Sequence, residues 1–169
     1  QATQMSVGNF YRYFASKDAI IAALVKRDID EIETVFHAIQ AAADPGAMFM
    51  QLLRLRIETL PFEDAALWSE VHAAAFRAPE IATLMRNMEE TVRRNVVDAL
   101  TRIHSDDSPA ATEDYPTRAH FIMLLIHGFA QRKICARETA TPEQTAALGE
   151  LVLTTLSHTI FTSPSSPVA

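Results

Sequence analysis

The chain has 169 residues, of which 49% are apolar and 21% are charged. This composition is typical of a soluble globular protein with one domain or two small ones, and it excludes disordered, collagen-like and low-complexity architectures. The 15 Lys and Arg residues against 21 Asp and Glu residues give a formal net charge of −6. That balance argues against nucleic-acid binding through evenly spread positive charge.

The cysteine content and the apolar segments restrict the class of protein further. Cys135 is the single cysteine, which excludes intramolecular disulfides and a cysteine-rich zinc site and suits a reducing compartment. The longest apolar stretch, residues 119–130, contains two histidines and is shorter than the roughly 18 to 20 residues that cross a bilayer. We therefore expect a cytoplasmic protein with no membrane partner.

The first long helix is predicted to begin after Ser16, whose side chain is a good N-cap. From Ile21 to Ile39 the apolar residues recur at spacings of three and four, which is the period of one helix face. The turn at residues 44–46, Asp-Pro-Gly, ends the pattern. The sequence therefore predicts one long amphipathic helix over residues 16–42.

Proline residues and short polar clusters delimit five further predicted helices. They cover residues 47–60, 63–77, 79–104, 116–137 and 142–161. The polar stretch 105–114 is the longest predicted loop, and the Ser- and Pro-rich residues 163–169 are expected to form a flexible tail. With only four glycines and no alternating strand pattern, the predicted fold class is all-α.

The last two predicted helices carry few charges around most of their circumference. Residues 141–162 contain Glu143 and Glu150 but no Lys or Arg. Such helices need burial on more than one side, either as a central core hairpin in a monomer or in an interface between two copies. We favour an isologous homodimer. Its predicted interface residues are Ile122, Ile126, Phe129, Leu148, Leu151, Val152, Thr155 and Thr159.

Residues 6–17 form the most informative short motif, and they read Ser-Val-Gly-Asn-Phe-Tyr-Arg-Tyr-Phe-Ala-Ser-Lys. Taken alone, the aromatic side chains would be a hydrophobic plug. Arg12, and Lys17 at a helix N-terminus, add an arrangement that suits phosphate contacts. The charge is also uneven, because residues 1–27 carry a net +3 and the remaining residues carry −9.

This segment resembles the tetracycline-repressor-like (TetR) family of bacterial transcriptional regulators. The family pattern is Ser-x-Gly-(Thr/Ser)-(Leu/Phe)-Tyr-x-(Tyr/His)-Phe-x-(Ser/Asn)-Lys-(Glu/Asp)-x-(Leu/Ile). The chain meets it at Ser6, Gly8, Phe10, Tyr11, Tyr13, Phe14, Ser16, Lys17, Asp18 and Ile20. It differs at Asn9, where the family usually has Thr or Ser, and at Gln4, where the family's turn usually has Gly.

The resemblance implies a TetR-type helical bundle with two functional parts. Residues 1–27 would hold the last part of a helix-turn-helix DNA-binding domain and the start of a linking helix, with two further helices before Gln1. Residues 28–162 would form the ligand-binding and dimerisation domain. A palindromic operator DNA would match the homodimer, and its expected contacts are Ser6, Val7, Gly8, Asn9, Tyr11, Arg12, Tyr13 and Lys17.

The resemblance also implies a small-molecule effector whose binding releases operator DNA, as in a repressor. Trp68, His72 and Phe76 recur at four-residue spacing on one predicted helix, which places a polar group within an apolar stripe. Each of them alone would more often be an ordinary core residue. The predicted ligand-binding residues are Phe49, Trp68, His72, Phe76, Met85, Met88, Phe121, Leu125, Phe129 and Arg132. They suit a hydrophobic or aromatic molecule that His72 or Arg132 would orient.

An enzyme is the less favoured class of function. Six histidines are present, but no Gly-rich phosphate loop, HExxH motif or nucleophile elbow accompanies them. His120 and His127 share a helix face without a carboxylate motif that would complete a metal site. We therefore predict no catalytic residue, metal or cofactor, and the alternative is a helical small-molecule-binding or interaction protein without DNA binding.

Overall fold

A computed structural model of the protein describes residues 16–59, 62–105, 112–136 and 138–162. The described residues contain no strand and include six helices: α1 (Lys17–Ala41), α2 (Pro45–Thr59), α3 (Phe62–Ala75), α4 (Pro79–Ile103), α5 (Tyr115–Cys135) and α6 (Pro142–Phe161). The all-α prediction is confirmed, and each predicted helix lies within a few residues of its observed bounds. The predictions for residues 1–15 and for the tail at 163–169 lie outside the described residues.

Local chemistry explains where several helices begin. The Ser16 hydroxyl accepts a hydrogen bond of 3.1 Å from the backbone N–H of Ala19 and so caps α1. At the start of α6, Thr141 and Gln144 form a reciprocal capping box. Proline lies in the first turn of α4, α5 and α6, where its missing N–H has no helical partner to lose.

The helices enclose two hydrophobic cores that meet along α1 and α4. The main core takes side chains from α1, α2, α4, α5 and α6, among them Phe36, Phe49, Leu100, Tyr115, Ile122 and Leu156. The small core lies between α1, α3 and α4 and consists of Ile21, Val25, Val71, Ala74, Ile81 and Met88. Ile32 packs partly against both cores. The N-terminal half of α1 therefore rests on α3 and α4, and its C-terminal half belongs to the main bundle.

The carbonyl end of α6 is held by a side chain from α5. Arg118 Nη1 donates to the Thr159 carbonyl oxygen at 3.0 Å and also to the Thr162 carbonyl oxygen. A cation at this end complements the helix dipole and satisfies carbonyls that have no partner within the helix. The contact fixes the end of α6 against the start of α5.

Candidate effector site and dimer surface

Trp68 and His72 lie one turn apart on α3, as their spacing predicts. His72 Nδ1 is 2.6 Å from the Trp68 carbonyl oxygen, and the two rings meet edge to face with their centroids 6.5 Å apart. Trp68 is half-buried against the small core, whereas His72 is exposed. The third member of the predicted stripe, Phe76, is 94% exposed because α3 ends at Ala75. Phe76 therefore does not extend the stripe.

Helices α3, α4 and α5 pack against one another, and His127 of α5 lies close enough to His72 of α3 for the charge of His72 to affect its pKa. We call this place the helix junction. The pKa of His127 is lowered, chiefly because its ring is partly withdrawn from water, although the residue keeps an exposed edge. The positive charge of His72 lowers this pKa further, Glu89 of α4 raises it, and Arg56 of α2 lowers it. In the described part of the chain no cluster of His, Cys, Asp or Glu could hold a metal ion, so the junction offers hydrogen bonds and charge.

Two methionines lie one helical turn from residues of the helix junction. Met85 is half-buried one turn before Glu89 on α4, and Met123 is buried one turn before His127 on α5. Residues one turn apart lie on the same helix face, and thioether side chains repack readily around different molecules. The junction therefore combines an indole, two imidazoles and adaptable apolar groups, which is suitable chemistry for holding and orienting a flat apolar molecule.

The other predicted ligand-binding residues are divided between the cores and the surface. Met88 packs in the small core together with Trp68 and Met85. The remaining five do not reach the junction: Phe49 and Phe129 are buried in the main core, Leu125 packs partly against it, Phe121 is 40% exposed on the outer side of α5, and Arg132 lies where α5 approaches its end. The structure thus brings together Trp68, His72, Met85 and Met88 from the predicted set.

Three residues at or near the helix junction were not among the predicted site residues: His127, Glu89 and Arg56. His127 carried one signal, its seven-residue spacing from His120, but the pattern did not say which helix it would meet. Glu89 and Arg56 carried none, because they are charged residues on helices with many charges and only tertiary packing brings them to His127.

The outer sides of α5 and α6 expose a surface without Asp, Glu, Lys or Arg, which we call the outward face. Its members on α5 are Thr117, Phe121, Leu124, Gly128 and Gln131, and on α6 they are Ala147, Leu148, Leu151, Thr154, Thr155 and His158. Leu124 is 65% exposed and Leu151 is 63% exposed. Large apolar side chains this exposed on adjacent helices are unusual in a monomer. No described helix is long and apolar enough to cross a membrane.

The two threonines that α6 contributes to the outward face have hydrogen-bonded hydroxyl groups. Thr154 Oγ1 donates to the Glu150 carbonyl oxygen and Thr155 Oγ1 to the Leu151 carbonyl oxygen, each at 2.8 Å. A partner could therefore cover these residues without leaving an unsatisfied donor. Gly128 adds a shallow notch, since a Cβ atom built there would meet nothing within 4 Å.

The predicted dimer residues divide between the outward face and the main core. Leu148 and Leu151 are exposed on that face, and Thr155 and Thr159 are half-buried. The prediction needs correction at Ile122, Phe129 and Val152, which are buried in the chain's own main core, whereas Ile126 is half-buried and packs partly against that core. Both sides of α5 and α6 are apolar, so the periodicity could not tell the side facing the core from the side facing outward. Leu124 was missed for the same reason.

Among the predicted DNA-binding residues, Lys17 lies within the described part of the chain. Its Nζ is 3.0 Å from Glu70 Oε2 of α3, with both side chains exposed. The pKa of Glu70 is lowered by the hydrogen bond from Lys17 and then by its charge. The other predicted contacts, Ser6, Val7, Gly8, Asn9, Tyr11, Arg12 and Tyr13, lie outside the described residues.

A long first helix that leads into an all-α bundle with an outward face on its last two helices is consistent with the C-terminal domain of TetR-like regulators. Comparison with known families agrees with this class. The family model for the BetI-type transcriptional repressor, C-terminal (TetR_C_6), matches residues 45–158, which is more than half of the chain. The chain therefore belongs to this family of TetR-like regulators, whose members are typically not enzymes. No curated protein and no solved structure matches the chain significantly.

Proposed function

We propose that the chain is the sensing part of a bacterial, cytoplasmic repressor that releases its operator DNA when a small hydrophobic or aromatic molecule binds at the helix junction. The observation that carries this proposal is the edge-to-face pair of Trp68 and His72 on α3, which packs beside Met85 and Met88 and lies close enough to His127 of α5 to affect its pKa. Trp68 would stack on the effector, and the two histidines would orient its polar group.

The position of the junction suggests how binding is transmitted to DNA. Trp68 packs on the same small core as Ile21 and Val25 of α1, and Lys17 at the start of α1 pairs with Glu70 of α3. An effector that moves α3 would therefore move the N-terminal half of α1, which the family resemblance makes the link to the recognition helix. Coupling requires that the effector bind one of the two arrangements more tightly than the other.

Tryptophan fluorescence tests the site, because Trp68 is the single tryptophan of the chain. A panel of hydrophobic and aromatic compounds is titrated, and we expect at least one to change the Trp68 emission saturably. Replacing His72 by Ala should weaken the binding of that compound by about tenfold, as expected when one hydrogen bond to a polar group is lost.

The matched control for this experiment is His37→Ala, which removes an exposed histidine of α1 far along the chain from the junction. If His72→Ala and His37→Ala weaken the binding of the compound equally, the effector binds elsewhere. The same follows if His72→Ala does not change the affinity of a compound that changes the Trp68 emission.

We also propose that two copies associate through the outward face. The exposed Leu124 and Leu151, and the hydrogen-bonded hydroxyls of Thr154 and Thr155, are features of an apolar interface. In an isologous dimer each substitution occurs twice, so Leu151→Glu should bury two carboxylates and shift the protein from dimer to monomer in sedimentation experiments.

The control for the dimer is Leu55→Glu, which places the same charge on α2, at a leucine that is 55% exposed. We expect this variant to sediment like the parent protein. If the parent chain is a monomer at micromolar concentration, or if both variants behave alike, the outward face is not the interface.

A further inference from the structure

A groove beside the loop that joins α5 to α6 is separate from the helix junction and from the predicted functional residues except Phe129, Leu148 and Arg132. It has two adjoining parts, of about 370 Å³ and about 630 Å³. Both are lined by Phe129, Lys133, Ala136, Ala140 and Thr145. We call the two parts together the hairpin-end groove.

The larger part of the groove has an apolar floor and small side chains. Ile57, Phe129 and Leu153 supply the floor, and the small, exposed side chain of Ala146 leaves space at its edge. The helices are already close here, since a Cβ atom at Gly149 would lie 3.1 Å from Ile57 Cγ2. This part would accommodate a hydrocarbon chain or a ring.

Charge distinguishes the two parts. Glu58 and Glu150 line the larger part, but both already pair with Arg54 Nη1, at 3.1 Å and 3.0 Å. Among the described residues, those that line the smaller part include Arg132 and Lys133 and no acidic residue. Arg132 forms no ion pair with any other described residue.

We propose that the hairpin-end groove binds an amphipathic organic anion, with its carboxylate in the smaller part and its apolar body in the larger part. The charge-assisted hydrogen bond from Arg132 provides the preference for an anion. The apolar floor provides the preference for a chain or ring over a small polar acid. This site is independent of the effector that the helix junction would sense.

Calorimetric titration of the full chain tests the proposal with decanoate as the probe and decyltrimethylammonium as the control of opposite charge, both below their micelle concentrations. We expect saturable binding of one decanoate per chain and at least tenfold weaker binding of the cation. Equal affinity for the two amphiphiles, or no saturable binding of decanoate, would overturn the proposal.

Two pairs of variants locate the binding. Ala146→Trp fills the larger part from an exposed position and should abolish decanoate binding, whereas Ala38→Trp on the surface of α1 should leave it unchanged. Arg132→Gln should weaken binding by about tenfold, whereas Arg102→Gln, at an exposed arginine of α4, should not.

Other results of the variant experiment count against the site. If His72→Ala abolishes decanoate binding and Ala146→Trp does not, the anion binds at the helix junction. If Ala146→Trp converts a dimer into a monomer, the groove is occupied by a second copy of the chain. Arg132→Gln keeps the test decisive if the bulky variant misfolds, since it changes only an exposed side chain.

Discussion

At the scale of a single residue, protonation of the His127 ring affects the stability of the folded state. Burial and neighbouring positive charge lower its pKa below the ordinary histidine value of about 6.5. As the pH falls through that value, the unfolded chain takes up a proton before the folded chain does, so the folded state loses stability. We expect the melting temperature to fall between pH 7.5 and pH 5.5, and to fall less in the His127→Gln variant.

The control for this prediction is His37→Gln, which should show the same pH dependence as the parent protein. The charged groups that affect the pKa of His127 are His72, Glu89 and Arg56, and they are intact in every variant of the comparison. An identical loss of melting temperature in His127→Gln and the parent protein would contradict a role for His127.

Single residues also show how far the candidate site could be predicted from sequence. The pair Trp68 and His72 could be predicted, because a spacing of four residues on one helix is a local property. Phe76 could not, because a helix that stops one residue early turns the side chain into solvent. Glu89 and Arg56 depend on how α2 and α4 pack against α5, and no local pattern encodes that packing.

At the scale of the helix, Arg118 stabilises the carbonyl end of α6. It bonds two carbonyls at the end of α6, and its side chain is 12% exposed. Arg118→Met keeps most of the alkyl stem and removes the donors, so we expect a loss of about 1–3 kcal/mol in the free energy of unfolding. Urea denaturation measures this loss. Arg102→Met, the same change at an exposed position, should stay within about 0.5 kcal/mol of the parent.

Whole helices could be predicted well because their limits are local. Ser16, the Asp-Pro-Gly turn after α1 and the prolines at the starts of α4 and α6 mark boundaries that no tertiary contact needs to supply. The orientation of α5 and α6 was harder. Ile122 and Val152 on the inner side are as apolar as Leu124 and Leu151 on the outer side, so only the packed bundle shows which side a partner could reach.

At the scale of the whole molecule, three parts of the structure would act together. The outward face would hold two copies together, the helix junction would sense an effector, and the small core would pass its movement to the start of α1. Lys17 lies at the end of this path, where its contact with Glu70 would compete with a contact to DNA phosphate. The uneven charge along the sequence is compatible with this proposal, since residues 1–27 carry a net +3 and the remaining residues −9.

The most direct test is the affinity for operator DNA of a protein with a complete helix-turn-helix domain, measured with and without a compound that changes Trp68 emission. We predict that the compound weakens DNA binding at least tenfold, a coupling within the usual range for ligand-responsive proteins, and that His72→Ala raises the compound concentration needed for this effect about tenfold. DNA affinity that is unchanged by a saturating compound would contradict this prediction.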